Sequence, residues 1–452
     1  MSDRLRNLWE SLRTSLWPLP MIMGLAAVAL ASLMLRVPSA TTGEGGLRGW
    51  LLAGGTGEDA QNLLTALTTA LISMAGVVFS ITMVVLSLAA NQFGPRLVRT
   101  YTSDVRAQLA IGIFVLTAVY CLIVLRSIEK GMSPADVPQP AVALGVALAL
   151  LCIMVVVLFL GLIARLIVAE TVIARVAGEL EAFIATLPPA GEAADEPDEA
   201  AMAPDDLLER SALVRSDQEG YVQSIEYRDL AAAAREAGAL VRFDYRAGAF
   251  MCREGWLALV HPAEALTPEL EAAVRRAVAI GRQRTPTQDL EFPIRHLVDI
   301  ALRALSPGIN DPNTATAVID RLRGALARLM AKQLPVAVMR DADGTMRVLG
   351  DSTGFDGILD AAFHQIRQAG GGQPAVVIHL LGAIARLAEH VRTPQQRRAL
   401  QRHADMIAAA GLRAVQEPND RADIEKAADA LRHKLRSLIR LHPADRIPAA
   451  AD

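Results

Sequence analysis

Four long apolar runs near the start of the chain constrain it more than any other feature of its 452 residues. They extend from about Leu16 to Val37, Leu63 to Ala90, Leu109 to Leu125 and Val142 to Ala169. A helix needs roughly 20 apolar residues to cross a hydrocarbon core about 30 Å thick. Backbone polar groups at that depth are satisfied only in helices or closed barrels. Each run meets the length, so the sequence predicts an α-helical membrane domain of four transmembrane helices over residues 1–170. The first run could instead be a cleaved signal peptide. Its apolar part is long and no small-x-small cleavage site follows, which favours an uncleaved anchor. The chain is 52% hydrophobic, and its long uninterrupted apolar runs lie before Glu170.

Loop charge sets the expected orientation. Arg4, Arg6 and Arg13 precede the first run, Arg96, Arg99 and Arg106 join the second to the third, and Arg165 and Arg175 close the fourth. The other two loops carry only Arg36 and Arg48, then Arg126 and Lys130, which is eight basic residues against four. The bias places both termini of a multi-pass protein in the cytoplasm. The apolar cores hold no Asp, Glu, Lys or His. Ionisable groups inside a membrane mark proton relays and ion coupling, so their absence argues against a proton-coupled transporter and an intramembrane protease.

The second run differs from the others. Thr65, Thr69, Ser73, Gly76, Ser80, Ser87 and Asn91 recur at steps of three, four or seven residues, which aligns them on one helix face. Small and hydroxyl residues let membrane helices approach closely. The same face could line a polar path across the bilayer. Helix packing and pore lining both remain open, and an oligomer would accommodate both.

Beyond the fourth run, Ile173, Val176, Leu180 and Ile184 keep a helical period, giving a helical extension over 171–187 that Pro188 and Pro189 end. Residues 188–211 are rich in Pro, Ala, Asp and Glu and read as an acidic linker. From 212 to 262 the pattern changes to short β-favouring runs punctuated by Gly220, Gly248 and Gly255, with a helix over about Tyr227–Ala237. This predicts a small β-rich, barrel-like domain resembling the lipoyl-type hybrid fold, although no lysine stands in it to carry a lipoyl or biotinyl group. Residues 263–445 read as a mostly helical domain. Thr267-Pro268 starts a helix expected to reach about Arg282, Pro293 and Asp311-Pro312 open two more, and Asp341-Ala342-Asp343-Gly344 turns one β-hairpin. The predicted whole is therefore a helical membrane domain followed by a cytoplasmic α+β region.

The densest polar constellation runs from Gly281 to Asp289, through Arg295-His296-Leu297-Val298-Asp299, to Ser306-Pro307-Gly308-Ile309-Asn310-Asp311-Pro312. Together with the stretch from Gly76 to Leu97 (GVVFSITMVVLSLAANQFGPRL), the phrases GRQRT, RHLVDIALR and ALSPGINDP make the chain similar to domain-of-unknown-function family 2254, a family of predicted bacterial membrane proteins. The resemblance spans nearly the whole chain. It implies an inner-membrane protein and supplies no catalytic residues. Read physically, Arg282, Arg284, Arg295 and Arg303, with the free amides of a helix N-terminus, suit a small anionic ligand. The rival is that Ser306, Asn310 and Asp311 only close a tight helix–helix turn. His296 and Asp299, three apart on one helix face, suit a hydrogen-bonded pair or two metal ligands, of which a structural pair is the favoured reading. His364, His379, His390, His403 and His433 share no ligand spacing along the chain, and the three cysteines lie far apart. No metal and no cofactor are expected.

Three functional classes follow. A homo-oligomeric channel or passive pore leads, with the second run as wall, the bilayer and further copies of the chain as partners, and an ion as cargo. A membrane-anchored ligand sensor or scaffold comes next. An enzyme is weakest, because no nucleophile–base pair is visible. The absence of a Walker-type run excludes a P-loop motor, and a net charge of −3 gives no reason to expect nucleic acid.

Overall fold

The computed structural model describes residues 17–37, 55–93, 105–166, 168–190, 204, 206–334 and 338–441. Contacts divide the chain into two compact units, Met1–Thr171 and Val172–Asp452.

The N-terminal unit contains α1 (Pro18–Met34), α2 (Gly57–Phe93), α3 (Val105–Ser127) and α4 (Gln139–Leu166). Three stretches, Gly57–Leu88, Val105–Ser127 and Gln139–Gly161, are long and apolar enough to cross a membrane. The first helix is equally apolar but has 17 residues, which at 1.5 Å each is roughly 26 Å. Small side chains let these helices meet closely, as expected where lipid removes the hydrophobic drive between helices. Ala27 and Ala31 of α1 and Ala107, Ala110 and Phe114 of α3 are buried in one cluster. Gly145 of α4 sits against Leu64 and Tyr120. The Tyr120 hydroxyl donates to the Ala141 carbonyl at 2.9 Å, so a buried polar group is satisfied. The fourth run does not continue as one helix into the extension. It ends at Leu166, and α5 (Ala169–Thr186) is a separate helix that buries Val172, Ile173, Val176, Leu180 and Ile184.

In the C-terminal unit the sequence alternation builds two sheets. The strands are β1 (Ala212–Arg215), β2 (Gly220–Ile225), β3 (Leu240–Arg242), β4 (Phe250–Met251), β5 (Trp256–His261), β6 (Val278–Gly281), β7 (Val338–Arg340) and β8 (Met346–Leu349). One sheet has the order β1-β5-β3-β8-β7 and the other β4-β2-β6. The expected barrel is therefore corrected to two open sheets. Their inward residues Val214, Val222, Ile225, Val241, Phe243, Met251, Val260 and Val348 share a core with Leu230 of α6 (Tyr227–Glu236) and Leu270 and Val274 of α7 (Pro268–Ala277). The helices cover the faces that a closed barrel would have buried against itself.

A second correction falls at the end of α7. The helix stops at Ala277, and Val278–Gly281, expected to be helical, pairs antiparallel with β2. Pairing in a sheet outweighed local propensity, which is only a weak prior for so short a segment. The hairpin forms as expected: Asp341 Oδ1 accepts from the Asp343 and Thr345 amides at 3.1 and 2.9 Å, and Gly344 takes a φ of 79°. Its second strand, β8, runs parallel to β3 and so extends the sheet of the 212–262 segment.

The remaining helices are α8 (Glu291–Ala304), α9 (Pro312–Leu329), α10 (Phe355–Gly370), α11 (Pro374–Leu387), α12 (Pro394–Ala414) and α13 (Pro418–Leu441). Their apolar stripes meet in a core that includes Leu297, Leu322, Phe363, Leu380, Leu400 and Ile407. Local rules start several of them. Thr267, Asp311 and Thr393 each cap a helix by accepting an amide hydrogen bond, with proline just inside. Both ends of the acidic linker are tied down, since Gln333 donates its amide to the Pro188 carbonyl and Leu207 is buried beside Leu240 and Leu349.

Candidate functional site

Four places are candidates for function. The first is the polar stripe of α2. Its inward face is Ala60, Leu64, Thr68, Leu71, Val78 and Thr82, all buried. Thr65, Thr69, Ser73, Gly76, Ser80 and Ser87 are all exposed. At 3.6 residues per turn the two sets are centred roughly 140° apart around the helix. A Cβ added at Gly76 would meet nothing within 4 Å. Among the described residues, the stripe therefore faces away from the helices that α2 packs against. The side chain of Asn91 lies outside the described residues.

The second is the arginine-rich loop and the start of α8. Here the structure assembles an ion-pair lattice. Arg284 chelates Asp289 through Nε and Nη2 at 2.8 and 2.5 Å, and Arg295 chelates Glu291 through Nε and Nη2 at 3.0 and 2.6 Å. Glu291 also accepts from Arg246 Nη2 at 2.7 Å and from the Thr353 hydroxyl at 3.0 Å, and Arg246 reaches Asp351 at 2.8 Å. Both central carboxylates are buried. Burial works to raise the Glu291 carboxyl, but the hydrogen bonds of Arg295 and the charge of Arg246 bring it below its usual range. Asp289 has one guanidinium and a neighbouring carboxylate, so burial prevails and its carboxyl is pushed up. Gly248, at a φ of 91°, lets the backbone pass where a Cβ would overlap this Arg284–Asp289 pair. Gln288 completes the clasp by accepting the Ile225 amide at 2.9 Å.

Two of the four arginines expected to face an anion, Arg284 and Arg295, are thus engaged by buried carboxylates. Arg282 is exposed and Arg303 half-buried. His296 is buried and Asp299 half-buried on α8. The lattice locks the loop to the β-rich part and to the segment before α10.

The third place is the turn from Ser306 to Pro312. Asp311 accepts the Thr314 amide at 3.1 Å and the Thr314 hydroxyl at 2.6 Å. Those bonds, with the helix amides, hold its carboxyl below the ordinary value. Asn310 adopts a φ of 50° and accepts from Gln373 at 3.2 Å, while the Ser306 hydroxyl donates to the Arg303 carbonyl at 2.6 Å. These are turn-closing interactions, and the Asp311 carboxylate among them is an acceptor that offers an anion no donor.

The fourth place was not anticipated. Asp360 and His364 of α10 meet His403 of α12, with candidate ligand atoms all within 4.8 Å of one another. Asp360 Oδ1 lies 2.7 Å from His403 Nε2, 3.2 Å from His364 Nε2 and 2.6 Å from Arg402 Nη2. His403 is fully buried, and burial depresses it to about 4, an effect its bond to Asp360 only partly offsets. It is therefore neutral near pH 7, with Nε2–H donating to the carboxylate. Burial works to raise Asp360, but hydrogen bonds from His403 and Arg402 prevail and lower it. A trace of this cluster was legible, since Asp360 and His364 stand four apart on one helix face. Nothing along the chain announces the third member.

The comparisons agree with the sequence resemblance. The family described as "Predicted membrane protein (DUF2254)" matches residues 13–386. Uncharacterised proteins of Mycobacterium bovis and Mycobacterium tuberculosis are 31% identical over 437 residues, covering 95% of this chain and 82% of each relative. No solved structure matches the chain. With its apolar helices, its two sheets and its ion-pair lattice in place, the chain belongs to this family of predicted membrane proteins.

Proposed function

We propose that the chain is a multi-pass protein of the bacterial inner membrane, with α1 as a fourth crossing, both termini cytoplasmic, and copies assembled into a passive channel walled by α2. One observation carries the reading: the face of α2 bearing Thr65, Thr69, Ser73, Gly76, Ser80 and Ser87 is open, while the opposite side packs into the chain. Lipid tails suit the exposed Val77, Phe79 and Val84 of the same helix. A continuous row of hydroxyls and a bare glycine suits another copy or water. The C-terminal unit then stands as a cytoplasmic vestibule. A membrane-anchored sensor or scaffold is the second reading, favoured by the Asp360–His364–His403 cluster, which a simple pore wall does not require.

Cysteine substitution separates the two. Cysteines at Thr69, Ser73, Gly76 and Ser80 are expected to react with small water-soluble thiol reagents, because thiolate forms where water reaches. Cysteines at Leu71, Val78 and Ile81 are expected to stay inert. Ser80→Leu should lower ion flux in liposomes at unchanged expression. Protection of all seven positions, with no flux through the unmodified protein, would remove the channel reading.

A further inference from the structure

We propose that Asp360, His364 and His403 form a site for one divalent ion of the zinc class, which ties α10 to α12 and leaves a coordination position open to solvent. The donor set is two imidazoles and one carboxylate, a combination that suits zinc and its neighbours in the transition series and not magnesium or calcium, which prefer oxygen. Around a tetrahedral zinc, with ligand bonds of about 2.0–2.2 Å, donor atoms stand roughly 3.3 Å apart. Asp360 Oδ1 and His364 Nε2 are already at 3.2 Å, and Asp360 Oδ1 and His403 Nε2, at 2.7 Å, need to open by a few tenths of an ångström.

Hydrogen bonding does not account for His364. His364 Nε2 is buried and makes no hydrogen bond of acceptable geometry, although it lies 3.2 Å from a carboxylate oxygen. Buried polar atoms are nearly always satisfied, so this nitrogen points to a ligand that completes it. Asp360 and His364 keep 31% and 30% of their side chains exposed, which gives the ion an entry path and a water for the fourth position. Arg402 shares Asp360 Oδ1, but 43% of its side chain is exposed. It can withdraw to solvent or move to the second oxygen, where it would orient the ligand.

The test uses the full chain in detergent, stripped with a chelator and titrated with Zn2+ by calorimetry and with Co2+ by visible absorption. We expect one ion per chain, cobalt bands of a four-coordinate site, and a higher melting temperature with zinc. Outer ligand partners are worth about 10–100-fold in affinity, so His364→Ala and Asp360→Asn, which remove ligands, should each weaken binding at least about 100-fold and abolish the thermal shift. Arg402→Gln should bind zinc as tightly as the wild type or more tightly. If Asp360→Asn does not fold, the half-exposed His364→Ala decides alone. Absence of saturable one-to-one binding in the wild type, or wild-type affinity in His364→Ala, would overturn the site. Neither result bears on whether α2 lines a channel.

Discussion

In the N-terminal unit several large side chains of α4 point outward, and Leu150, Met154, Val157 and Leu158 are each more than half exposed. In the C-terminal unit the same residue types turn inward, and Leu297, Leu322, Leu380 and Leu400 have no exposed surface. The two units draw on one pool of aliphatic residues and dispose of them oppositely. Water drives apolar area inward at about 25 cal/mol per Å2, whereas lipid gives no such drive and leaves close packing of small residues to hold helices together. Charged groups follow the same division. The described spans bury Tyr120, Thr117 and Cys152 without an acid or base between them, while the C-terminal unit buries Asp289, Glu291, His296 and His403.

A matched pair of truncations sharpens this comparison most. Leu297→Ala, in a core with no exposed surface, should cost about 2–5 kcal/mol. Leu150→Ala, with the native side chain 61% exposed, should cost only a small fraction of that in detergent or bilayer. Chemical denaturation of each variant measures both, and equal losses would break the comparison.

A smaller effect concerns acid. His403 is depressed from 6.5 to about 4 in the folded chain, so the unfolded chain binds more protons between those values. Its contribution is complete above about pH 6.5 and is lost as pH falls towards 4, on the order of 2 kcal/mol. Asp360, whose carboxyl is lowered, adds stability that disappears only at lower pH still. Denaturation of metal-free protein between pH 7 and 4.5 should therefore show a loss that His403→Phe reduces. A variant with the same pH slope as the wild type would remove His403 from the account.

The smallest expected change lies at the α9 cap. Asp311→Ala should cost about 1 kcal/mol, measured as a lowered denaturation midpoint. If the midpoint held while binding of inorganic phosphate was lost, the Ser306–Pro312 turn would be an anion site and not only a cap.

What was legible in the sequence is what neighbouring residues decide among themselves. Apolar run length marked α2, α3 and α4. The Asp341–Gly344 turn was visible because its hydrogen bonds span four residues, and the caps at Thr267, Asp311 and Thr393 because theirs span three. The sequence also determined that α2 has a polar face, but not which way the face turns. That depended on α3 and α4 occupying the other side, a matter of packing between distant segments. Tertiary structure likewise made Val278–Gly281 a strand, because β2 offered unpaired backbone groups that a further turn of helix could not match. It committed Arg284 and Arg295 to carboxylates where charge counting had left them free for a ligand. It also brought His403 to Asp360 across 43 residues, which no spacing rule along the chain anticipates, because the helices that carry them meet only when the core between them closes.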